Sequence, residues 1–331
     1  MRTTPEAAFA VDPDGTRTLS RRVAADEAGT RLLDALRRTH PGYAEADCLD
    51  AIASGALTLD DRPVTADAVL AEGMRIAWRI PPRPEPAVDD RIAIVFEDAH
   101  LAVVSKTGNL PCHPAGRYVA NTLLGVLAAR HGLREARLVN RLDRETSGLV
   151  LVAKTREAAS ACGTMMMAGR FRKRYRVLVE GSWPCHDGWR EVRGEIVLAR
   201  GVVVRKKRVF RPDDAIDPTS PEYALTRFRC LGRAEEMSLL EAVPETGRPH
   251  QIRATLQAIG FPVVGDKLYG VDETIYARMC ADAMTPEDHA VLRMGRQALH
   301  AQALAFRHPF TKEDLAFETP PSPDEPLWHL F

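Results

Sequence analysis

A chain of 331 residues, 45% hydrophobic and 27% charged, can bury a sizeable core and is too apolar for disorder, and its length suits one large domain plus a smaller one. Forty-five Lys and Arg balance forty-five Asp and Glu, so any nucleic-acid partner must be gripped by a local basic patch rather than by overall charge. The six cysteines (Cys48, Cys112, Cys162, Cys185, Cys230 and Cys280) never form a C-x-x-C pair, which excludes a zinc knuckle and a small disulfide framework. No stretch approaches ~18 consecutive apolar residues and the first fifteen hold acids and prolines, so the chain reads as a soluble cytoplasmic protein.

In chain order, residues 1–15 read as a tail and residues 16–80 as a small α+β module. RLLDALRRTH sets Leu32, Leu33 and Leu36 on one helical face; after a Pro-Gly break, AEADCLDAIASG predicts a second helix ending at Gly55. LTLDDRPV and MRIAWRI then predict strands around a turn. PPRPEPAVDD, residues 81–90, carries four prolines and is the expected linker. Residues 91–331 form the larger domain. There, IAIVFEDAHLAVVSK predicts two strands joined at an Asp-Ala turn, and SGLVLVAK predicts a third. Residues 157–169 should be helical, with Met165, Met166 and Met167 as gap-filling core. FRKRYRVLVEG predicts a half-buried strand with Tyr175, Val177 and Val179 on one face and Arg174 and Arg176 on the other. Without repeated βαβ spacing, the pattern favours α+β over a doubly wound sheet.

Charge concentrates in one tract. Residues 170–211 hold thirteen Arg and Lys against four Asp and Glu, a local excess of nine in a neutral chain. Such runs are commonly solvated surface, but the arginine bias and the RKKR cluster at 205–208 also suit phosphate, which guanidinium forks bind bidentately.

Two constellations could carry chemistry. In VNRLDRETSGLVLVAK, residues 139–154, Asp143 lies between Arg141 and Arg144, and neighbouring positive charge should keep it ionised. It is then a candidate nucleophile or base and a poor general acid; the spacing equally allows a surface salt bridge. Thr146-Ser147-Gly148 reads as a tight turn that would hold the acid at a strand edge. In residues 245–270, Ile252, Leu256 and Ile259 recur at helical spacing, and Arg253 beside that stripe could bring a guanidinium to a buried carboxylate. His250 at the helix start is a phosphate contact or a local cap and receives no catalytic role. No phosphate-binding glycine loop, metalloprotease helix or nucleophile elbow is present, and a hydrolase with paired carboxylates would need a second acid besides Glu145.

These blocks resemble the RluA-type RNA pseudouridine synthase family, whose signature is usually written H-R-L-D-x-x-T-S-G-L. EDAHLAVVSKTGNLPCHP, KRYRVLVEG, TGRPHQIRATLQAIGFPVVGDKLYG and ALHAQALAFRHPFT follow in the family's order, so the resemblance spans about residue 92 to the end. It implies an α+β catalytic domain on a curved, mainly antiparallel mixed sheet with a central cleft. The implied reaction isomerises uridines in structured RNA, ribosomal in preference to transfer RNA, with no metal or cofactor. By this resemblance Asp143 is the catalytic aspartate, Tyr175 contacts the target base, Arg253 pairs with the aspartate, and Arg141 lies beside the position vacated by a flipped uridine. Arg172, Lys173, Arg174, Arg205, Lys206, Lys207, Arg208, Arg248 and His250 complete the expected RNA-binding set. A monomer is expected. Asn140 stands where the family has histidine and Thr107 where it commonly has proline; Asn cannot carry a proton, so its role should be structural. Residues 30–80 resemble, in diluted form, the S-four-type RNA-binding domain, with Ala44, Glu45, Ala46 and Asp47 at the usual Ser-Arg-Ser start of the second helix. The alternative function is an inactive RNA-binding or RNA-folding protein that keeps the synthase fold.

Overall fold

The structure, a computed structural model, describes residues 8–11, 16–40, 43–82, 84–115, 117–184, 188–199, 204, 207–234, 236–280 and 283–331. Two compact units divide the chain, Met1–Pro86 and Ala87–Phe331.

The first unit is an antiparallel sheet with two helices. Its strands are β1 (Ala8–Val11), β2 (Arg17–Arg22), β3 (Leu57–Leu59), β4 (Arg62–Pro63) and β5 (Arg75–Ile80), in the order β1-β2-β5-β3-β4. Helices α1 (Leu32–Thr39) and α2 (Glu45–Ala53) bury Leu32, Leu36 and Cys48 against Leu57, Ile76, Trp78 and Ile80. Asp60 and Asp61, both at positive φ, form a two-residue turn whose twist matches the β3–β4 hairpin it closes. Residues 8–11 are therefore not tail: they pair with β2 from Ala8 opposite Ser20 to Val11 opposite Arg17.

The second unit is built on an eleven-stranded mixed sheet. Its elements are β6 (Ile92–Glu97), β7 (Leu101–Lys106), α3 (Leu123–Arg130), β8 (Arg137–Leu138), β9 (Ser147–Ala153), α4 (Arg156–Met167), β10 (Arg172–Glu180), β11 (Arg190–Leu198), β12 (Arg208–Pro212), β13 (Tyr223–Ala234) and β14 (Met237–Pro244). They continue with α5 (Gln251–Ala258), α6 (Thr274–Cys280), α7 (Pro286–Leu292), β15 (Leu299–Arg307) and β16 (Asp314–Glu318). The sheet runs β12-β11-β13-β14-β10-β15-β9-β7-β6, with β8 on β9 and β16 on β15. All described pairings are antiparallel except β9 with β15.

Strand β9 reads as an unbroken apolar run because both its faces are covered. Val150 and Val152 join the core with α3, while Leu149, Leu151 and Ala153 join the one with α4. Gly148 makes the parallel contact possible. Its φ is +109°, and a Cβ there would lie 2.3 Å from the Ala301 carbonyl oxygen, so only glycine lets β9 approach β15 this closely. On the other side of β15, Tyr175 pairs with the same Ala301. Register thus aligns the strand that follows Asp143 with the strand that carries Tyr175.

Three expectations need correction. Asp89 and Asp90, assigned to the linker, belong to the second unit: the Thr107 hydroxyl donates to Asp89 O at 2.5 Å, and Arg130 pairs with Asp90. Thr107 therefore supplies a tether that proline could not. The methionine run is not core as a whole. Met165 packs against the α4 cluster, whereas Met167 is 86% exposed, because the run lies on the last turn of α4 where the helix leaves the sheet. Lys207, expected in the phosphate-binding tract, is buried over the Tyr269 ring and paired with Glu273.

Candidate active site

The loop between β8 and β9 carries Asp143, and almost every group around it is pinned. Asn140 Oδ1 accepts the Leu151 N–H at 2.8 Å, the Leu142 N–H points at Cys112 Sγ at 3.4 Å, and Thr146 N–H closes a tight turn onto Asp143 O at 3.1 Å. The fully buried Lys106 donates to Thr107 O and Arg144 O at 2.8 and 3.1 Å; burial lowers its pKa to about 8. Leu110 N–H also donates to Arg144 O.

The two arginines beside Asp143 in sequence face elsewhere. Arg141 is exposed, with Nη1 3.3 Å from His113 Nε2, and Arg144 bonds the Tyr118 hydroxyl and Glu145. The partner of Asp143 comes from α5, 110 residues downstream. Arg253 Nη1 donates to Asp143 Oδ2 at 2.6 Å. The rest of that guanidinium is taken by Asp266, with Nε and Nη2 donating at 2.6 and 2.8 Å, and it stacks 4.9 Å from the Tyr269 ring centre. Asp266 is fully buried and accepts the Leu268 and Tyr269 N–H groups at 2.9 Å each. One cation is thus fixed by a buried carboxylate and offers a single N–H to a second carboxylate, whose side chain is still 31% exposed. Burial alone would raise the Asp143 pKa; the Arg253 charge, helped by His250, outweighs it and leaves the carboxyl below its usual range.

His250 opens α5 in the left-handed conformation, at φ 58°, an uncommon backbone state for a non-glycine residue. Its ring does not cap the helix. Nδ1 bonds the Tyr269 hydroxyl at 2.8 Å, and Nε2 lies 3.8 Å from Asp143 Oδ1. Burial lowers its pKa, so it is chiefly neutral at pH 7. Tyr175 is half-buried where two hydrophobic clusters meet; burial and the nearby Asp143 charge push its phenol well above the ordinary value. The site therefore offers an ionised carboxylate, a neutral phenol and a neutral imidazole.

Comparison with known proteins decides what this arrangement belongs to. The family model described as RNA pseudouridylate synthase matches residues 100–258, which include Asp143, Tyr175 and Arg253. Ribosomal large subunit pseudouridine synthase C of Escherichia coli (strain K12) is 30% identical over 311 residues, 90% of this chain and 91% of that protein. The chain belongs to the RNA pseudouridylate synthase family. Ribosomal large subunit pseudouridine synthase D of Neisseria meningitidis serogroup A is 33% identical, covering 92% of this chain and 78% of that one. The solved structure of human RNA pseudouridylate synthase domain containing 1 superposes with a TM-score of 0.55 at 25% identity, covering 74% of this chain and 89% of that one. The protein is accordingly a pseudouridine synthase of RluA type on an α+β mixed-sheet fold.

Among the expected RNA-contacting residues of this synthase, the structure brings some to the site and ties others down. Arg208 lies close enough to His250 to help lower its pKa, and its Nε is buried without a hydrogen-bond partner. Its N–H donates to the Tyr269 hydroxyl at 2.7 Å. Arg248 is half-buried, with Nε on Tyr223 O at 3.0 Å. Arg172 is exposed; Lys173 is half-buried with Nζ 3.6 Å from Met166 Sδ. Arg174 is paired with Glu241 and Glu318. Arg205 and Lys206 lie outside the described residues. Sequence reasoning assigned no role to Asp266 and Tyr269, although GDKLYG was in view. A buried acid just past a helix that presents arginine was the available signal. A cavity of about 820 Å³ lies behind the loop, lined by Lys106, Glu145, Ser147 and Arg296 but not by Asp143, Tyr175 or Arg253, so it is distinct from this site.

Proposed function

We propose that this synthase isomerises uridines of ribosomal RNA, and that Asp143 does the covalent work on a uridine flipped out of the RNA fold. The observation that carries the reading is the shared guanidinium: Arg253, locked on Asp266, holds Asp143 ionised and oriented while one edge of the carboxylate stays open. Ionisation is what the reaction needs. As a nucleophile, a carboxylate oxygen forms a bond to the ribose C1′ as the C1′–N1 bond breaks and the uracil departs as an anion. After the base turns, C5 forms the new bond to C1′ as the carboxylate leaves; the C5 proton is then lost to solvent while N1 takes up a proton, which gives neutral pseudouridine. As a base, the same carboxylate removes the C2′ proton as the C1′–N1 bond breaks, giving a glycal and the uracil anion, and returns that proton to C2′ when C5 bonds to C1′; both routes fail if the carboxylate starts out protonated. Tyr175, held neutral, acts as a stacking face and hydrogen-bond donor rather than as a phenolate. Arg141 and Arg208 supply phosphate contacts that offset unstacking. The ribosomal preference rests on the relatives being ribosomal large subunit synthases, with the Escherichia coli and Neisseria meningitidis proteins matching 90% and 92% of this chain.

The test is tritium release from RNA labelled at uridine C5. Large-subunit ribosomal RNA made in cells lacking the protein should release tritium, and Asp143→Asn should slow release by on the order of 10³-fold. Release from transfer RNA alone would overturn the ribosomal assignment, and wild-type release by Asp143→Asn would remove the aspartate from the mechanism.

A further inference from the structure

The loop carrying Asp143 is fastened from behind by residues that belong to neither the Arg253 bridge nor the Tyr175 strand. Lys267 Nζ donates to Glu145 Oε2 at 2.9 Å and to Gly295 O at 2.8 Å, and Gln297 Nε2 donates to Thr146 Oγ1 at 2.5 Å. Arg296 is the hub. Its Nη1 donates to Glu145 O and its Nη2 to Ser147 Oγ, each at 3.0 Å, so one guanidinium holds the chain on both sides of Thr146. The side chain is buried and passes over Gly108, where a Cβ would lie 2.2 Å from Arg296 Cδ.

The remaining edge of this guanidinium is held by a distant segment, residues 320–331. Glu325 accepts from Nε and Nη2 at 2.5 Å each, and Trp328 Nε1 donates to Glu325 Oε2 at 3.0 Å. Trp328 is itself buried with Leu178, Met237, Leu239, Val264 and Ala298, which anchors the segment to β10, β14 and the chain leading into β15. The cavity explains why polar bonds are needed here. Lys106, Glu145, Ser147, Arg296, Glu325 and Leu327 line about 820 Å³ of open space behind the loop, so no packed side chain fills that volume to stop the loop from moving back. Resistance in that direction comes from polar bonds: beside those of Lys267 and Gln297, the Arg296 fork, aimed by the Glu325 carboxylate, alone reaches both Glu145 and Ser147.

We propose that Arg296 and Glu325, braced by Trp328, are positioning residues of the reaction: a clasp that holds the Asp143 loop at its catalytic distance, which makes residues 320–331 part of the active-site apparatus. The inference rests on the reading of Asp143 as the catalytic residue. Neither clasp residue touches the open edge of Asp143, so loosening the clasp should slow the chemical step and leave RNA affinity alone.

Full-length Glu325→Gln and Arg296→Lys are compared with the unaltered enzyme in single-turnover tritium release and in filter binding of the same RNA, with thermal melts to show that each is folded. Because misplacement by about 1 Å can cost on the order of 10²-fold, each variant should lose roughly tenfold or more in rate. RNA Kd should stay within about twofold, since the phosphate contacts are untouched. Trp328→Phe keeps the buried ring and removes only the N–H to Glu325; with one neutral hydrogen bond lost, its rate should fall by about threefold. That variant carries the test if either of the others fails to fold. A wild-type rate in folded Glu325→Gln or Trp328→Phe overturns the clasp, as does a rise in Kd that matches the fall in rate. Asp143→Asn run alongside separates the two failures: if it is inactive while the clasp variants are fully active, the clasp alone is wrong; if it is active, the Asp143 reading fails and the clasp with it.

Discussion

At the scale of single residues, the site depends on how one guanidinium is divided between two carboxylates. Asp143 and Arg253 were legible in the sequence because each stands in a recognisable block. Their pairing was not legible, since they lie 110 positions apart and the chain between them carries no local signal of contact, whereas Asp266 follows Arg253 by only 13 positions. The adjacent Arg144 was misleading for the same reason: a neighbour in sequence can point away, and this one points to Tyr118 and Glu145. Asn140, the departure from the family signature, has a structural task, as its chemistry suggested. Its side-chain oxygen satisfies the Leu151 N–H, which is otherwise a donor on a buried strand. Asn140→Ala should therefore cost about 1–2 kcal/mol in denaturant unfolding, the usual penalty for an orphaned buried donor. Asn140→His should recover most of that loss, because a neutral imidazole nitrogen can accept the same bond; equal stability of Ala and His variants would show that the bond contributes nothing.

At the scale of elements, a parallel contact between two strands aligns the site. Gly148 brings β9 against β15, and β15 in turn pairs with β10, so the Asp143 loop and Tyr175 meet across Ala301. Gly148→Ala must resolve a 2.3 Å clash with backbone and a φ of +109°. The expected loss is about 3 kcal/mol or more, read as a fall in the unfolding midpoint with the same m-value. A variant as stable as the parent would mean that β9 and β15 can separate without harm. The strands themselves were legible as apolar runs, and α5 from its helical spacing. Three features were not: strand β1, the exposed end of the methionine run, and the burial of Lys207. Composition and charge describe what a segment prefers, whereas its pairing partner and depth are set by what folds against it.

At the scale of the whole molecule, the C-terminal part of the second unit returns to buttress its beginning, and a buried histidine makes that return sensitive to acid. His300 sits between Ser147 Oγ and Thr319 O, each at 2.9 Å, while Arg296 donates to the same Ser147 hydroxyl. Burial pushes its pKa down to about 4 from an ordinary 6.5, so the folded protein keeps it neutral. The sign follows: stability from the neutral ring is fully present above about pH 6.5 and is lost as pH falls from there towards 4, by on the order of 3 kcal/mol. Chemical denaturation across that window should show this loss, and His300→Gln should flatten it; an unchanged slope would assign the acid sensitivity to other groups. The α+β class, the existence of two units and the candidate aspartate were legible in the sequence alone, because patterning and a short motif are local properties. Tertiary structure alone decided that Arg253 serves two acids, that the division falls at Pro86, and that residues near 296 and 325 brace residues near 145. Those are contacts between segments far apart in the chain, and which side chains meet there is settled only when the sheet brings them together.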